Sequence, residues 1–132
     1  MADFGCDACH GTDAKAAWDH AHHGQSARTK IASDYAFEVR VSHCPTCAQA
    51  FLWIFNEGIT WDDGPSIWFE TALPVTAAEL AAFAGGGTSV LEAGALGASR
   101  RRLDSTWNPG YDREVSWATG EFVVQRDIWG HG

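Results

Sequence analysis

Hydrophobic and polar residues alternate most regularly in the segment from 35 to 42. In this segment, YAFEVRVS, an apolar side chain occupies every second position, which is typical of a strand with one buried face. The next segment, AQAFLWIFNEG at 48–58, has large apolar side chains at both odd and even positions and predicts a strand buried on both sides. Residues 65–72, PSIWFETA, follow with a similar composition. The pattern therefore predicts three consecutive β-strands in the middle of the chain.

Three other segments have the spacing or the end signals of helices. In residues 12–24, TDAKAAWDHAHHG, apolar residues recur at i, i+3, i+4 and i+7 and include Trp18. Two further helices begin with capping boxes, in which Ser or Thr precedes Glu by three residues: Thr76 with Glu79, and Ser89 with Glu92. The glycines at 85–87 are expected to end the first of these, and the second is expected to extend toward Leu103. Gly94 and Gly97 weaken that last helix by about 1 kcal/mol each.

The remaining segments predict connections and a second hairpin. Residues 24–34, GQSARTKIASD, are mostly polar without a clear period and predict a loop. Residues 114–118 and 121–128 predict two strands of a C-terminal hairpin. No linker divides the 132 residues, so we predict a single domain over 1–132.

The net charge of the chain disfavours one class of binding partner and favours another. Seventeen acidic residues against nine basic ones give a net charge of −8, which argues against nucleic-acid binding and favours a partner with a basic surface. The only basic cluster, Arg100 to Arg102, is expected at the end of the third helix, where positive charge suits the helix dipole. No apolar run approaches the length of a membrane span and no signal peptide is recognised, so we expect a cytoplasmic protein that does not bind membranes.

All four cysteines fall into two C-x-x-C pairs, Cys6 with Cys9 and Cys44 with Cys47, separated by 34 residues. Two such turns can complete a tetrahedral site of four thiolates, which suits Zn²⁺ and leaves no open position for catalysis. Iron in the same site, redox-active dithiols and disulfides are the alternatives, and disulfides fit poorly with the expected cytoplasmic location. The sequence CDACH also matches c-type haem attachment, but Met1 is the only methionine available as an axial ligand.

The second cysteine pair, CPTC, lies at the tip of a predicted strand–turn–strand unit, and this arrangement resembles zinc ribbons. The resemblance implies a three-stranded ribbon core at 36–71, with Cys6 and Cys9 as the remote first pair. It implies an α+β fold, in which a zinc-ribbon-like antiparallel β core (about 1–72) is extended by helices and a C-terminal hairpin (about 73–132), with two or three short helices in all. The segment CPTCAQAFLWIFNEGITWDDG is similar to small bacterial zinc-ribbon proteins, some of which resemble toxin-immunity proteins.

The histidines offer a second candidate site. His20 and His23 are i, i+3 neighbours on the first predicted helix, and with Asp19 they could bind a metal with open positions, as in a hydrolase. The same histidines, together with His22, can also be explained as a solvent-exposed helix end, where histidine suits the helix dipole. His10 and His43 adjoin the cysteine pairs and could donate hydrogen bonds to the thiolates.

No nucleophile elbow, phosphate-binding loop or dinucleotide motif is present, so the sequence leaves catalysis uncertain and favours a non-catalytic role. The hypothesis that the sequence favours is a structural zinc domain that acts as a protein–protein interaction module, with a toxin-immunity role suggested by the resemblance. A metal-dependent hydrolase using His20 and His23 and a C-x-x-C thiol–disulfide redox protein remain alternatives. Exposed tryptophans are the natural anchors of such an interface, and the candidates are Trp61, Trp107, Trp117 and Trp129.

Overall fold

The computed structural model describes residues 6, 9, 11–24, 29–34, 37–58, 67–107 and 113–124. Its centre is a six-stranded antiparallel sheet whose strands follow one another in chain order, β1-β2-β3-β4-β5-β6. The strands are β1 (Thr29–Asp34), β2 (Phe37–His43), β3 (Ala50–Gly58), β4 (Ile67–Val75), β5 (Arg102–Trp107) and β6 (Glu114–Ala118). The helices are α1 (Ala14–Gly24), α2 (Ala77–Ala84) and a 3₁₀ helix (Val90–Ser99). The predicted α+β class is therefore confirmed.

The three strands predicted for the middle of the chain are β2, β3 and β4, and they pair in continuous antiparallel register. Leu52 of β3 lies opposite both Val41 and Leu73, and these three side chains point to the same face of the sheet. Trp53, the next residue, points to the other face and is almost fully buried. β3 is thus buried on both sides, as its two apolar faces predict.

Each face of the sheet carries its own apolar cluster. On the first face, α2 and the 3₁₀ helix contribute Phe83 and Ala93 to a cluster with the odd-numbered apolar residues of β2. On the second face, α1 contributes Ala17 and Trp18 to a cluster that also contains Cys9 and Cys44. The sheet therefore separates a layer formed by α2 and the 3₁₀ helix from a layer that holds α1 and the cysteines.

The prediction of a loop over residues 24–34 is wrong for its second half, because residues 29–34 form β1. This strand pairs with β2, and its register shifts between Lys30 and Ala32. The shift is a local bulge, and both Ile31 and Ala32 pack against the apolar cluster of the first face. A bulge interrupts period-two alternation, which explains why the pattern does not show this strand.

The third helix and the C-terminal hairpin also differ from the prediction. The helix that begins at Ser89 is a 3₁₀ helix and ends at Ser99, and the predicted end near Leu103 belongs to β5. A C-terminal hairpin is present, but β6 pairs with β5, and residues 121–124 are not a strand. Residues 125–128 lie outside the described part of the chain.

Two glycines three residues apart let another segment of the chain approach the 3₁₀ helix closely. The backbone N–H of Gly120 donates to the carbonyl of Gly97 at 2.8 Å, and that of Phe122 donates to Gly94 at 3.2 Å. A Cβ on Gly94 would lie 1.9 Å from the carbonyl oxygen of Phe122, and one on Gly97 would lie 2.1 Å from that of Gly120. Because residues i and i+3 eclipse in a 3₁₀ helix, both glycines face the segment 120–122 and let it approach closely.

Candidate metal centre

The second cysteine pair is held in a tight turn between β2 and β3. The backbone N–H of Ala48 donates to the carbonyl of Cys44 at 2.8 Å, and that of Cys44 donates to Gln49 at 2.9 Å. Ala48 has a φ of 64°, a left-handed conformation that closes the turn after Cys47. The strands on either side thus fix the direction of both thiols.

The first cysteine pair meets the second across 38 residues of sequence. The backbone N–H of Cys9 donates to the carbonyl of Cys6 at 2.9 Å, and the N–H of Cys6 points at the sulfur of Cys47, 3.3 Å away. Each pair therefore forms a turn, and the turns face one another.

The four Sγ atoms lie within 4.8 Å of one another. The separations are 3.8 Å for Cys6–Cys9, 4.0 Å for Cys6–Cys44 and 3.8 Å for Cys9–Cys47. A zinc–sulfur bond is about 2.3 Å long, so the sulfurs of a tetrahedral ZnS₄ site are about 3.8 Å apart. All four cysteines are free thiols. The cluster could therefore hold a metal ion.

The two buried thiols of the cluster have pKa values that are shifted in opposite directions. Burial raises the pKa of the Cys44 thiol, but hydrogen bonds from the backbone N–H of Cys47 and from His20 outweigh burial and lower that pKa to about 6. Burial and the neighbouring thiols raise the pKa of Cys9. Cys9 and Cys44 are both buried, and Cys6 is half-buried. Several thiolates at such a site need a compensating positive charge, because desolvation and mutual repulsion disfavour them.

Helix α1 follows the first cysteine pair and packs against the sheet. It begins at Asp13, whose Oδ1 accepts from the backbone N–H groups of Lys15 and Ala16 at 3.0 and 3.2 Å. Trp18, on the predicted apolar stripe, meets Trp53 of β3 edge to face, with ring centroids 5.3 Å apart. The cysteine cluster is therefore supported by an aromatic contact between a helix and the sheet.

The structure brings His20 to the cluster. Its Nε2 lies 3.4 Å from the Sγ of Cys44, within hydrogen-bond distance for sulfur. No signal in the sequence pairs these two residues, which are 24 positions apart, because the contact depends on how α1 lies across the sheet. Asp19 and His43 are exposed. His10 and the side chains of His22 and His23 lie outside the described part of the chain.

Among the described residues, the four cysteines are the only group of metal-ligating side chains close enough to hold an ion.

Of the candidate interface tryptophans, Trp107 and Trp117 are half-buried on the second face, and the positions of Trp61 and Trp129 are outside the described ranges. The basic cluster begins at the end of the 3₁₀ helix, as predicted, with Arg100 as the C-cap residue, but Arg102 is already the first residue of β5. Arg100 forms a bidentate ion pair with Glu79, and Arg101 lies over the ring of Trp117, 4.1 Å from its centroid.

Fold and site together define an α+β protein with a four-cysteine cluster that could bind a metal ion. The chain matches no protein-family model, no curated protein and no solved structure. None of the helices in the described ranges has the length and apolar character needed to cross a membrane.

Proposed function

We propose that Cys6, Cys9, Cys44 and Cys47 bind one Zn²⁺ ion and that this ion has a structural role. The observation that carries the proposal is that the four sulfurs lie within 4.8 Å of one another and that three of their six separations, 3.8 to 4.0 Å, are close to the edge length of a ZnS₄ tetrahedron. Zinc is favoured because thiolates are soft ligands and four of them in tetrahedral geometry suit its filled d shell. Four protein ligands leave no position for water or substrate, so the ion stabilises the fold and does not act on a substrate.

Elemental analysis tests this proposal. Protein purified without chelator is expected to contain one zinc per chain, and the double variant Cys44→Ser/Cys47→Ser is expected to contain none. Cobalt added to the metal-free protein should give the intense visible absorption of a tetrahedral thiolate site. Iron in place of zinc would correct the identity of the ion, whereas no stoichiometric metal at all would overturn the proposal.

We further propose that the zinc-stabilised domain is a protein–protein interaction module with a basic partner. The net charge of −8 supports this, because an acidic surface attracts positively charged proteins and repels nucleic acid. Half-buried tryptophans on the second face support it too, since tryptophan is enriched where interfaces gain most of their energy. The chain resembles small bacterial zinc-ribbon proteins, some of which resemble toxin-immunity proteins, and the partner that we propose is therefore a basic toxin.

Complex formation tests the interaction. The products of the neighbouring reading frames are to be purified and mixed with the chain, and binding measured by calorimetry at two salt concentrations. A basic partner is expected to bind more weakly at high salt, because the attraction between the charged surfaces is screened. A partner without basic character, bound equally well at both salt concentrations, would contradict the proposal.

A further inference from the structure

The second face of the sheet carries a row of one carboxylate and two tryptophans. Glu57 of β3 lies opposite Trp68 of β4, and Trp68 lies opposite Trp107 of β5. The indole N–H of Trp68 donates to the carboxylate of Glu57 at 3.3 Å, and the two indole rings are 4.5 Å apart. All three side chains are partly exposed. We call these three residues the Glu57 row.

A neighbouring row of side chains on the same face shows which kind of side chain binds to this surface. There, Glu38, Phe55 and Glu70 lie opposite one another on β2, β3 and β4. Arg40 forms an ion pair with Glu38, and Arg113 lies 3.6 Å from Glu70. The guanidinium of Arg113 is also 5.9 Å from the ring centroid of Trp107. The protein's own arginines therefore bind here to alternating carboxylates and aromatic rings.

The Glu57 row also combines a carboxylate with aromatic rings, but among the described residues no arginine pairs with its carboxylate; Arg113 approaches only the ring of Trp107. Among the described residues, Glu57 forms no ion pair, and its hydrogen bond comes from the neutral indole of Trp68. A carboxylate can accept several hydrogen bonds, so this one leaves capacity for a second donor. Trp68 is in ring contact with Phe55 as well as Trp107, which holds its ring in place. An ordered aromatic ring beside a carboxylate that has no ion pair is the arrangement that binds a cationic side chain.

We infer that the Glu57 row binds an arginine side chain of the protein partner, an inference that rests on the proposed interaction with a basic protein. Arginine fits better than lysine, because its planar guanidinium can stack on an indole ring while its N–H groups donate to the carboxylate. The net charge of −8 favours the approach of such a partner.

The test uses the full chain and a capped peptide of alternating glycine and arginine, followed by ¹⁵N NMR. The control peptide has citrulline, which has nearly the same shape but no charge, in place of arginine. In the wild-type protein, the arginine peptide should shift the indole N–H signals of Trp68 and Trp107, and the citrulline peptide should not. Glu57→Gln should weaken binding of the arginine peptide by about fivefold or more.

The matched control variant is Glu121→Gln, which removes the same charge from an exposed position. It should bind the arginine peptide nearly as the wild type does, because a non-specific effect of net charge is small. Equal weakening in both variants, or equal binding of the citrulline peptide, would overturn the inference. Shift mapping on the wild type decides the question even if Glu57→Gln unfolds, since signals that move only elsewhere also overturn it. Binding of a whole partner by Glu57→Gln with wild-type affinity would refute the role of this row and leave the proposed interaction function intact.

Discussion

Removal of the second cysteine pair should greatly destabilise the protein. In the double variant Cys44→Ser/Cys47→Ser, the metal no longer joins the N-terminal segment to the β2–β3 turn. The link from Cys6 to Cys44 closes a loop of 38 residues. A cross-link over that length lowers the conformational entropy of the unfolded chain and thereby stabilises the folded state by about 4 kcal/mol, which is a large part of the roughly 5 to 15 kcal/mol of net stability of a typical domain. For 132 residues, with about 2.1 cal/mol/K of unfolding entropy per residue, this loss lowers Tm by about 14 °C.

The assay is thermal unfolding followed by circular dichroism, with and without added zinc. Wild-type Tm should rise with zinc concentration, because the ion binds the folded state, and the double variant should not respond. Thr46→Ala, an exposed exchange in the same turn that keeps all four thiols, is the matched control and should melt within about 2 °C of the wild type. A double variant that melts within about 3 °C of the zinc-loaded wild type would refute the structural role of the metal.

Three further predictions concern individual contacts. Glu79→Gln should lower stability by about 2 kcal/mol in urea unfolding, because it removes the charged partner of the nearly buried Arg100 guanidinium. The Arg100 guanidinium lowers the pKa of the Glu79 carboxyl. The stability that this ion pair contributes is therefore present above the ordinary carboxyl pKa and is lost as pH falls through the lower pKa of the folded state. Equal effects of the substitution at neutral and at strongly acidic pH would contradict this prediction. Gly94→Ala should cost about 3 kcal/mol in the same assay, since its Cβ would overlap the carbonyl of Phe122, and a variant as stable as the wild type would show that the segment is not held there. His20→Phe should weaken zinc affinity about tenfold in chelator competition through loss of its hydrogen bond to a thiolate, whereas His43→Phe, at an exposed position, should not.

Local sequence patterns were sufficient to predict an element where the residues that stabilise it are neighbours in sequence. The alternation over 35–42 predicts β2, the apolar run at 48–58 predicts β3, and the Thr76–Glu79 box is formed at the start of α2 with both hydrogen bonds present. The two C-x-x-C pairs are also local signals, because the spacing itself points two sulfurs in one direction. The four thiols that the sequence nominates do lie together in the structure.

Local sequence patterns failed to predict an element where residues distant in sequence decide its conformation. β5 has charged and polar residues at many positions, and it is a strand because β4 and β6 supply hydrogen-bond partners on both sides. The 3₁₀ helix depends on the approach of residues 120–122, which lie more than 20 positions away in sequence. Helix propensity and capping are short-range effects, so they indicate where that helix begins but not its type or its end.

The sequence by itself thus determined the thiol donors, the central strands and the acidic character of this protein. Only the tertiary structure decided that His20 contacts Cys44, and that Glu57 shares a row with Trp68 and Trp107. The physical reason is that strand register and helix packing bring together residues from separate segments. Neither can be read from the spacing within one segment, because both result from the burial of apolar faces and the pairing of backbone groups across the whole sheet.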